Sequence, residues 1–331
     1  MARVLITAAG GDIGIGAIQS LQKASHETIA VDMNPHGAGL YIADHGVCVP
    51  AASDNEWPTA MARVVNEYNV DIVIPLIDQE LQEIDRLQSA LPNDIPVIVP
   101  RRGLIEKTVD KKEMYEYFRK HGLRIPETSV ADTHSGLFES QSKEPAKIVK
   151  PRYGQGSRGV QLIHTSDDLR EYIDENEVDQ SNLLVQEFIN GPEYTSNVTV
   201  TNDNRLLSIV TKEVPERNNY TALGITRDNP TVYEACIEAF EALEPAGPMN
   251  VQHMLDEDGI PYLIEINPRF SGSSCLTVEA GVNEFDLLVR NALDEEIEPV
   301  DEYETGLGII RYTDQVYIDE SNLLSQANDC Q

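Results

Sequence analysis

The sequence is short of cysteine and of lysine, and it contains no long apolar run. Its four cysteines, Cys48, Cys236, Cys275 and Cys330, lie far apart. That spacing argues against a disulfide framework and a structural zinc site, and it points to a reducing, cytoplasmic setting. No apolar stretch approaches the roughly 20 residues that a membrane-spanning helix requires. The N-terminus runs straight into a strand pattern, without a basic region, an apolar core and a cleavage site, so no secretory signal is expected. Lysine supplies only 9 of the 25 basic residues, against 56 acids, for a net charge of −31. The acids are spread along the whole chain. Such a surface repels nucleic-acid backbones and anionic membranes, so neither is an expected partner. It also repels itself at low salt, and the composition reads as adaptation to a salt-rich cytoplasm, a halophilic trait.

What is present is an ordinary apolar content of 41% over 331 residues, enough for two or three packed units with real cores. Residues 1–100 alternate short β-type runs ("VLITAA", "TIAVDM", "HGVCVP", "DIVIPL", "PVIVP") with helical segments, among them "EWPTAMARVVNEYN" and "QELQEIDRLQSAL". This order predicts crossover helices and a parallel sheet. Near residue 103 the pattern changes. "DKKEMYEYFRKHG" reads as a helix ended by Gly122, with "LRIPET" as an extended exit. The predicted boundaries are 1–103, 104–190 and 191–331.

The segment "LITAAGGDIGIGAIQSL" has the order of a dinucleotide-binding unit: strand, glycine turn, helix, second strand and the acid Asp32. The first glycine of that fingerprint is missing, because the pattern falls on Ala9, Gly11 and Gly14. A nicotinamide site and a plain tight turn both fit at this point.

Three later segments carry more chemistry. In "AKIVKPRYGQGSRGVQLI" a β-type run ends at Lys150, and a loop with Gly154, Gly156, Ser157 and Gly159 leads to a second β-type run. Without a following helix this is no P-loop. Glycine backbone N–H groups beside Lys150, Arg152 and Arg158 suit an anion lid, and an ordinary glycine-rich hairpin is the alternative. In "NLLVQEFINGPEYTSNVTV" a strand passes into Gln186, Glu187, Phe188 and Ile189 and then a Gly-Pro turn. Free backbone groups there suit an adenine edge, and Glu187 or Glu193 suits ribose hydroxyls. In "MNVQHMLDEDGIPYLIEINPRFSGSS" two strands flank a turn, with Glu265 and Asn267 on one face of the second and Gln252 on the first. This oxygen-only set suits Mg²⁺, and Arg269 is placed to meet a transferring phosphoryl group.

Together these segments resemble the ATP-grasp superfamily, in the branch similar to single halves of the carbamoyl-phosphate synthetase large subunit. The resemblance covers essentially the whole chain. It implies an α/β fold: an N-terminal Rossmann-like parallel-sheet domain, then a two-lobed ATP-grasp fold. "VDKKEMYEYFRKHGLRIPET" looks like the family's opening helix, with Asp110 and Lys111 as its Asp-Lys pair. "KPRYGQGSRGV" looks like the nucleotide lid, which adds Tyr153 to the ATP-binding residues and makes Lys150 the phosphate lysine. "GVNEFDLLVRNALDEEI" and "LGIIRYTDQVYI" resemble the closing segment. Where the family often has Asp after the ribose Glu, this chain has Asn197. The basic residue of the next strand falls on Lys212, with Arg217 as a second candidate.

The resemblance implies an ADP-forming ligase that uses ATP with Mg²⁺ or Mn²⁺. Its partners are a small carboxylate and a nucleophile, an amine above all, and a homodimer is compatible with it. Lys111 and Lys150 then hold phosphates, Gln252, Glu265 and Asn267 the metal, and Arg269 and Lys212 are the catalytic candidates. The "AAGGDIG" turn is reassigned: Gly10 and Gly11 become carboxylate-binding candidates, with Asp78 and Glu80 in "PLIDQE" as acids for an amine. The competing readings are a nicotinamide oxidoreductase and a nucleotide-binding regulatory protein without turnover.

Overall fold

The computed structural model describes residues 1–131, 146–154, 158–218 and 220–324 of the 331. Continuous apolar runs build the first sheet. Val4, Leu5 and Ile6 are all fully buried, which requires cover on both faces. The strand Arg3–Ile6 lies parallel between Glu27–Asp32 and Ile72–Ile74, with His45–Cys48 outside Glu27–Asp32. Alternation sends Val4 and Ile6 into a core with Ile18 and Leu21 of the helix Asp12–Lys23. It sends Leu5 to the other face, against Trp57 and Met61 of the helix Trp57–Tyr68.

Two local expectations are corrected. "PVIVP" is not a strand and contributes a single parallel bridge, Val73 to Val97. Pro96 and Pro100 lack the N–H groups that a longer ladder needs. "QELQEIDRLQSAL" forms two helices, Asp78–Gln82 and Ile84–Ala90, divided at Glu83.

The helix Lys111–Lys120 begins where the Asp110 side chain accepts from Lys112 N at 2.9 Å, and Gly122 beyond its end has φ +77°. It buries Met114, Tyr115 and Phe118. Two antiparallel sheets follow. The smaller runs in the order Thr128–Val130, Leu183–Glu187, Lys147–Pro151, Gln161–Ile163. The larger has six strands in the order Pro261–Asn267, Met249–Leu255, Glu193–Val200, Leu206–Arg217, Thr221–Thr226, Gly308–Ile310.

Register in the larger sheet decides what the site contains. Thr195 lies opposite both Gln252 and Lys212, and Gln252 lies opposite Glu265. Asn250 lies opposite both Asn197 and Asn267. Opposed residues share a face, so two polar rows cross the sheet. The other face carries Val198, Val251 and Ile266 and packs against the helix Pro230–Leu243. Phe270 and Phe285 stack with centroids 4.3 Å apart and join the core that holds Val4 and Ile6. The N-terminal sheet and the C-terminal helices therefore share one core.

Candidate active site

A cleft opens between the two antiparallel sheets, and the strand Lys147–Pro151 forms one wall. Val149 points into the small core with Val185 and Ile163, so alternation turns Ile148 and Lys150 to the cleft. Lys150 is only 6% exposed. Its ammonium donates to Tyr115 Oη at 2.6 Å and to Gln186 Oε1 at 2.9 Å. Burial pushes its pKa down to about 8, against the field of Glu265. Gln186 is itself fixed, since its Nε2 donates to Thr128 Oγ1 at 2.8 Å.

The lid strand continues through Tyr153 and Gly154, both on the cleft wall. Gly156 and Ser157 lie outside the described residues. Gly159 has φ +72°, and a Cβ there would come within 2.8 Å of Pro151 Cγ, so the return of the loop requires glycine. Lys111 reaches across to donate to the Gly154 carbonyl. Burial lowers its pKa, opposed by Glu265 and Asp78 and reinforced by Lys150. Arg152 lines neither this cleft nor the chamber beside it. Its guanidinium grips the Asp110 carboxylate, with Nε 2.7 Å from Oδ1. Burial raises the pKa of Asp110, and the Arg152 guanidinium together with the Lys112 and Glu113 backbone N–H groups holds the carboxyl below its usual range.

Glu187, Phe188, Ile189 and Glu193 line the far end of the cleft. Glu193 faces Arg217, whose Nε lies 3.0 Å from Glu193 Oε2. Arg217 thus lines this cleft and not the second chamber. On the opposite wall stand Gln252 and Glu265, paired in register. Glu265 also lines a second chamber with Asn267, Asp78, Gln79, Gln82 and Thr108. The two chambers share Lys111, Pro151, Tyr153, Gly154, Arg158 and Glu265. Arg269 stands behind this wall. Its Nε donates to Asp78 Oδ2 at 3.0 Å, Nη1 to the Phe270 carbonyl at 3.1 Å and Nη2 to Asn267 Oδ1 at 3.3 Å. Three of its N–H groups are therefore already engaged by the protein.

Several candidates stand elsewhere. Lys212 shares the polar face, but it is fully buried and lines neither chamber. Its ammonium donates to Asn197 Oδ1 and to Thr277 Oγ1, the latter at 2.8 Å. Asn197 passes the contact on, donating to Glu284 Oε1 at 2.5 Å. Burial pushes the pKa of Lys212 down to about 8, opposed by Glu284. The expected catalytic placement of Lys212 is corrected: its side chain is sealed away from both chambers beside the helices Ser274–Glu279 and Glu284–Ala292. Glu80 points inward, accepting from Thr7 Oγ1 and from Leu76 N and Ile77 N at 3.1 and 3.3 Å. Burial pushes its pKa up to about 7, against those donors. Gly10 and Gly11 also stay out of both chambers. Gly10 N donates to Asp32 Oδ2 at 2.8 Å, and a Cβ on Gly10 would meet Gly37 Cα at 2.8 Å. The glycine turn closes on its own acid.

Sequence reasoning missed Tyr115 and Met254, and it missed the Asp78–Arg269 ion pair. Met254 lies on the wall of the first cleft. Tyr115 looks like an ordinary buried aromatic on a helix, and only the fold sets its hydroxyl against Lys150.

Known proteins resemble this chain in sequence and in fold. Residues 108–273 match the family model described as ATP-grasp domain, and residues 4–98 match the model described as PylC-like, N-terminal domain. A carbamoyl-phosphate synthase of Methanobrevibacter smithii is 27% identical over 283 residues, covering 80% of this chain and 74% of that protein. The 3-methyl-D-ornithine–L-lysine ligase of Methanosarcina mazei is 25% identical over 304 residues, covering 89% of this chain and 74% of that one. Among solved structures, N5-carboxyaminoimidazole synthetase from Staphylococcus aureus complexed with ADP superposes with a TM-score of 0.73 at 20% identity, over 92% of this chain and 80% of that chain.

Proposed function

This chain belongs to the ATP-grasp family of ligases, and from that premise we propose that it joins a small carboxylate to an amine nucleophile, forming ADP through an acyl phosphate. The observation that carries this reading is the continuity of the two chambers through Lys111 and Glu265. A phosphoryl group held at that junction is within reach of a substrate in the second chamber.

In the first step a carboxylate oxygen of the substrate attacks the γ-phosphorus of ATP. The bond from that phosphorus to the bridging oxygen breaks, and ADP leaves. In the second step the amine nitrogen attacks the acyl carbon and loses a proton. The C–O electron pair then departs with inorganic phosphate. Lys111 and Lys150 supply ammonium groups to the phosphate oxygens, and Tyr115 and Gln186 aim Lys150. Gln186 to Ile189 and Glu193 take the adenine and ribose end. Gln252, Glu265 and Asn267 offer only oxygen donors on one face of adjacent strands, which fits Mg²⁺, and Mn²⁺ accepts the same set. When bound, the metal would draw off charge from the phosphate oxygens. Arg269 fixes Asn267 and Asp78, a positioning role. The nicotinamide reading loses its support, since Asp32 is occupied by the glycine turn.

The test is a thermal shift with Mg·ATP beside NADH, and an ADP-release screen of carboxylates in high potassium chloride. Stabilisation by Mg·ATP of about 2.7 kcal/mol at a hundredfold excess over Kd is expected, with none from NADH. Stabilisation by NADH alone overturns the assignment. Binding of Mg·ATP with no ADP release from any carboxylate favours the regulatory reading.

A further inference from the structure

We propose that Asp78 is the receptor for an ammonium group that does not react, so that the carboxylate activated in this site is an α-amino acid whose amine stays free. The inference rests on the ligase reading and deepens it. Of the charged groups on the wall of the second chamber, Lys111, Arg158 and Glu265 also face the nucleotide cleft and belong to the phosphate and metal end. Asp78 belongs to the second chamber alone, where Gln79, Gln82 and Thr108 supply neutral polar groups.

Asp78 is also built for the task. It opens the helix Asp78–Gln82, just past the end of the strand Ile72–Ile74. The side chains of Asp78 and Arg269 are 14% and 16% exposed. Arg269 engages one oxygen, Oδ2, and its other nitrogens are tied to Phe270 and Asn267, so the pair is rigid. Oδ1 is the acceptor assigned to the ligand. Glu80, two residues on, differs, because it is buried, lines neither chamber and takes the Thr7, Leu76 and Ile77 donors on its inward Oε2. Lys111 lines both chambers and feels the fields of both Glu265 and Asp78, so one ammonium is shared between the two ends.

The chemistry then selects which amine binds. A carboxylate favours the charged form of an amine beside it. The amine that attacks an acyl phosphate must present a free lone pair, so Asp78 suits a bystander. An α-amino acid fits, with its carboxylate toward Lys111 and Glu265 and its ammonium on Asp78.

The experiment pairs each amino acid with its relative lacking the α-amine: alanine with propionate, glutamate with glutarate, lysine with 6-aminohexanoate. Binding is read by calorimetry with Mg²⁺ and β,γ-imido-ATP present, and turnover by ADP release, in the wild type, Asp78→Asn and Asp78→Glu. At least one amino acid should bind and release ADP, with its partner weaker by about 10- to 100-fold, the size of a charge-assisted hydrogen bond. Asp78→Asn should raise KM for that amino acid by a similar factor and erase its preference over the partner, with the ATP Kd within about twofold of wild type. Asp78→Glu should restore part of the preference. Equal use of both partners by the wild type, or an unchanged preference in Asp78→Asn, overturns the inference and leaves the ligase reading standing. Binding of an amino acid that depends on Asp78, with no ADP release from any carboxylate, supports the inference and overturns the ligase reading. Failure of every amino acid in both assays overturns this inference.

Discussion

The Lys150 ammonium lies 4.7 Å from the centre of the Tyr115 ring and donates to that ring's hydroxyl at 2.6 Å. The cation is thus buried against a ring and two neutral acceptors.

That arrangement predicts proton-linked binding. The folded pKa of Lys150 is about 8, below the ordinary 10.5, because burial disfavours the charge. The unfolded chain therefore binds more protons between about pH 8 and 10.5, and this residue's contribution to stability rises with pH across that window. Nucleotide binding has the opposite sign, since phosphates favour the ammonium. Mg·ATP should take up a fraction of a proton at pH 8.5 and bind more weakly as pH rises further. Calorimetry in buffers of different ionisation enthalpy measures the uptake. Uptake undiminished in Lys150→Arg would assign the effect to another group.

Metal and lysine should separate in kinetics. Glu265→Ala is expected to reduce ADP release by on the order of 10³-fold or more, because the carboxylate serves charge that develops in transfer. Lys150→Ala should chiefly weaken ATP binding, by about 1.5–3 kcal/mol, as a charge-assisted contact present throughout. Glu265 is only half-buried, so the circular dichroism of its variant should match wild type. Wild-type turnover by Glu265→Ala would remove the metal assignment.

The Lys212 network should behave as structure and not as chemistry. Lys212→Met leaves Glu284 buried and uncompensated, at an expected cost of about 3–5 kcal/mol in urea unfolding. Burial already raises the Glu284 pKa, opposed by Lys212. The double variant Lys212→Met with Glu284→Gln should lose less than the two single losses together. Asn197→Asp would set a second carboxylate against Glu284 and should also destabilise. Additive losses in the cycle would mean that the two residues do not interact.

The charge predicts a salt requirement. With −31 net charge, melting temperature should fall as potassium chloride is removed, because the screening length grows from about 3 Å at 1 M to 30 Å at 0.01 M. Circular dichroism through stepwise dialysis is the measurement. A signal unchanged in dilute buffer would count against a halophilic surface.

Much of the fold follows from local pattern. A strand has a period of two, so Glu265 and Asn267 had to share a face, and Val4 and Ile6 had to oppose Leu5. Asp110 before "KKEMYEYF" and Gly122 after it bound a helix through hydrogen bonds and a positive φ that act within a few residues. Such signals are written in consecutive residues, and the parallel sheet, the glycine-rich hairpin and the strand that carries Glu265 and Asn267 are legible from them. What each side chain meets is not local. Lys150 and Lys212 both read as strand lysines. One faces Tyr115 and Gln186 in a cleft, the other Asn197 and Thr277 in a sealed core. Asp78 and Glu80 stand two residues apart in "PLIDQE", and only the docking of Arg269 beside one and Thr7 beside the other separates them. Periodicity settles the face on which a residue lies. Register and packing between segments far apart in the chain, 191 residues in the case of Asp78 and Arg269, decide its partner.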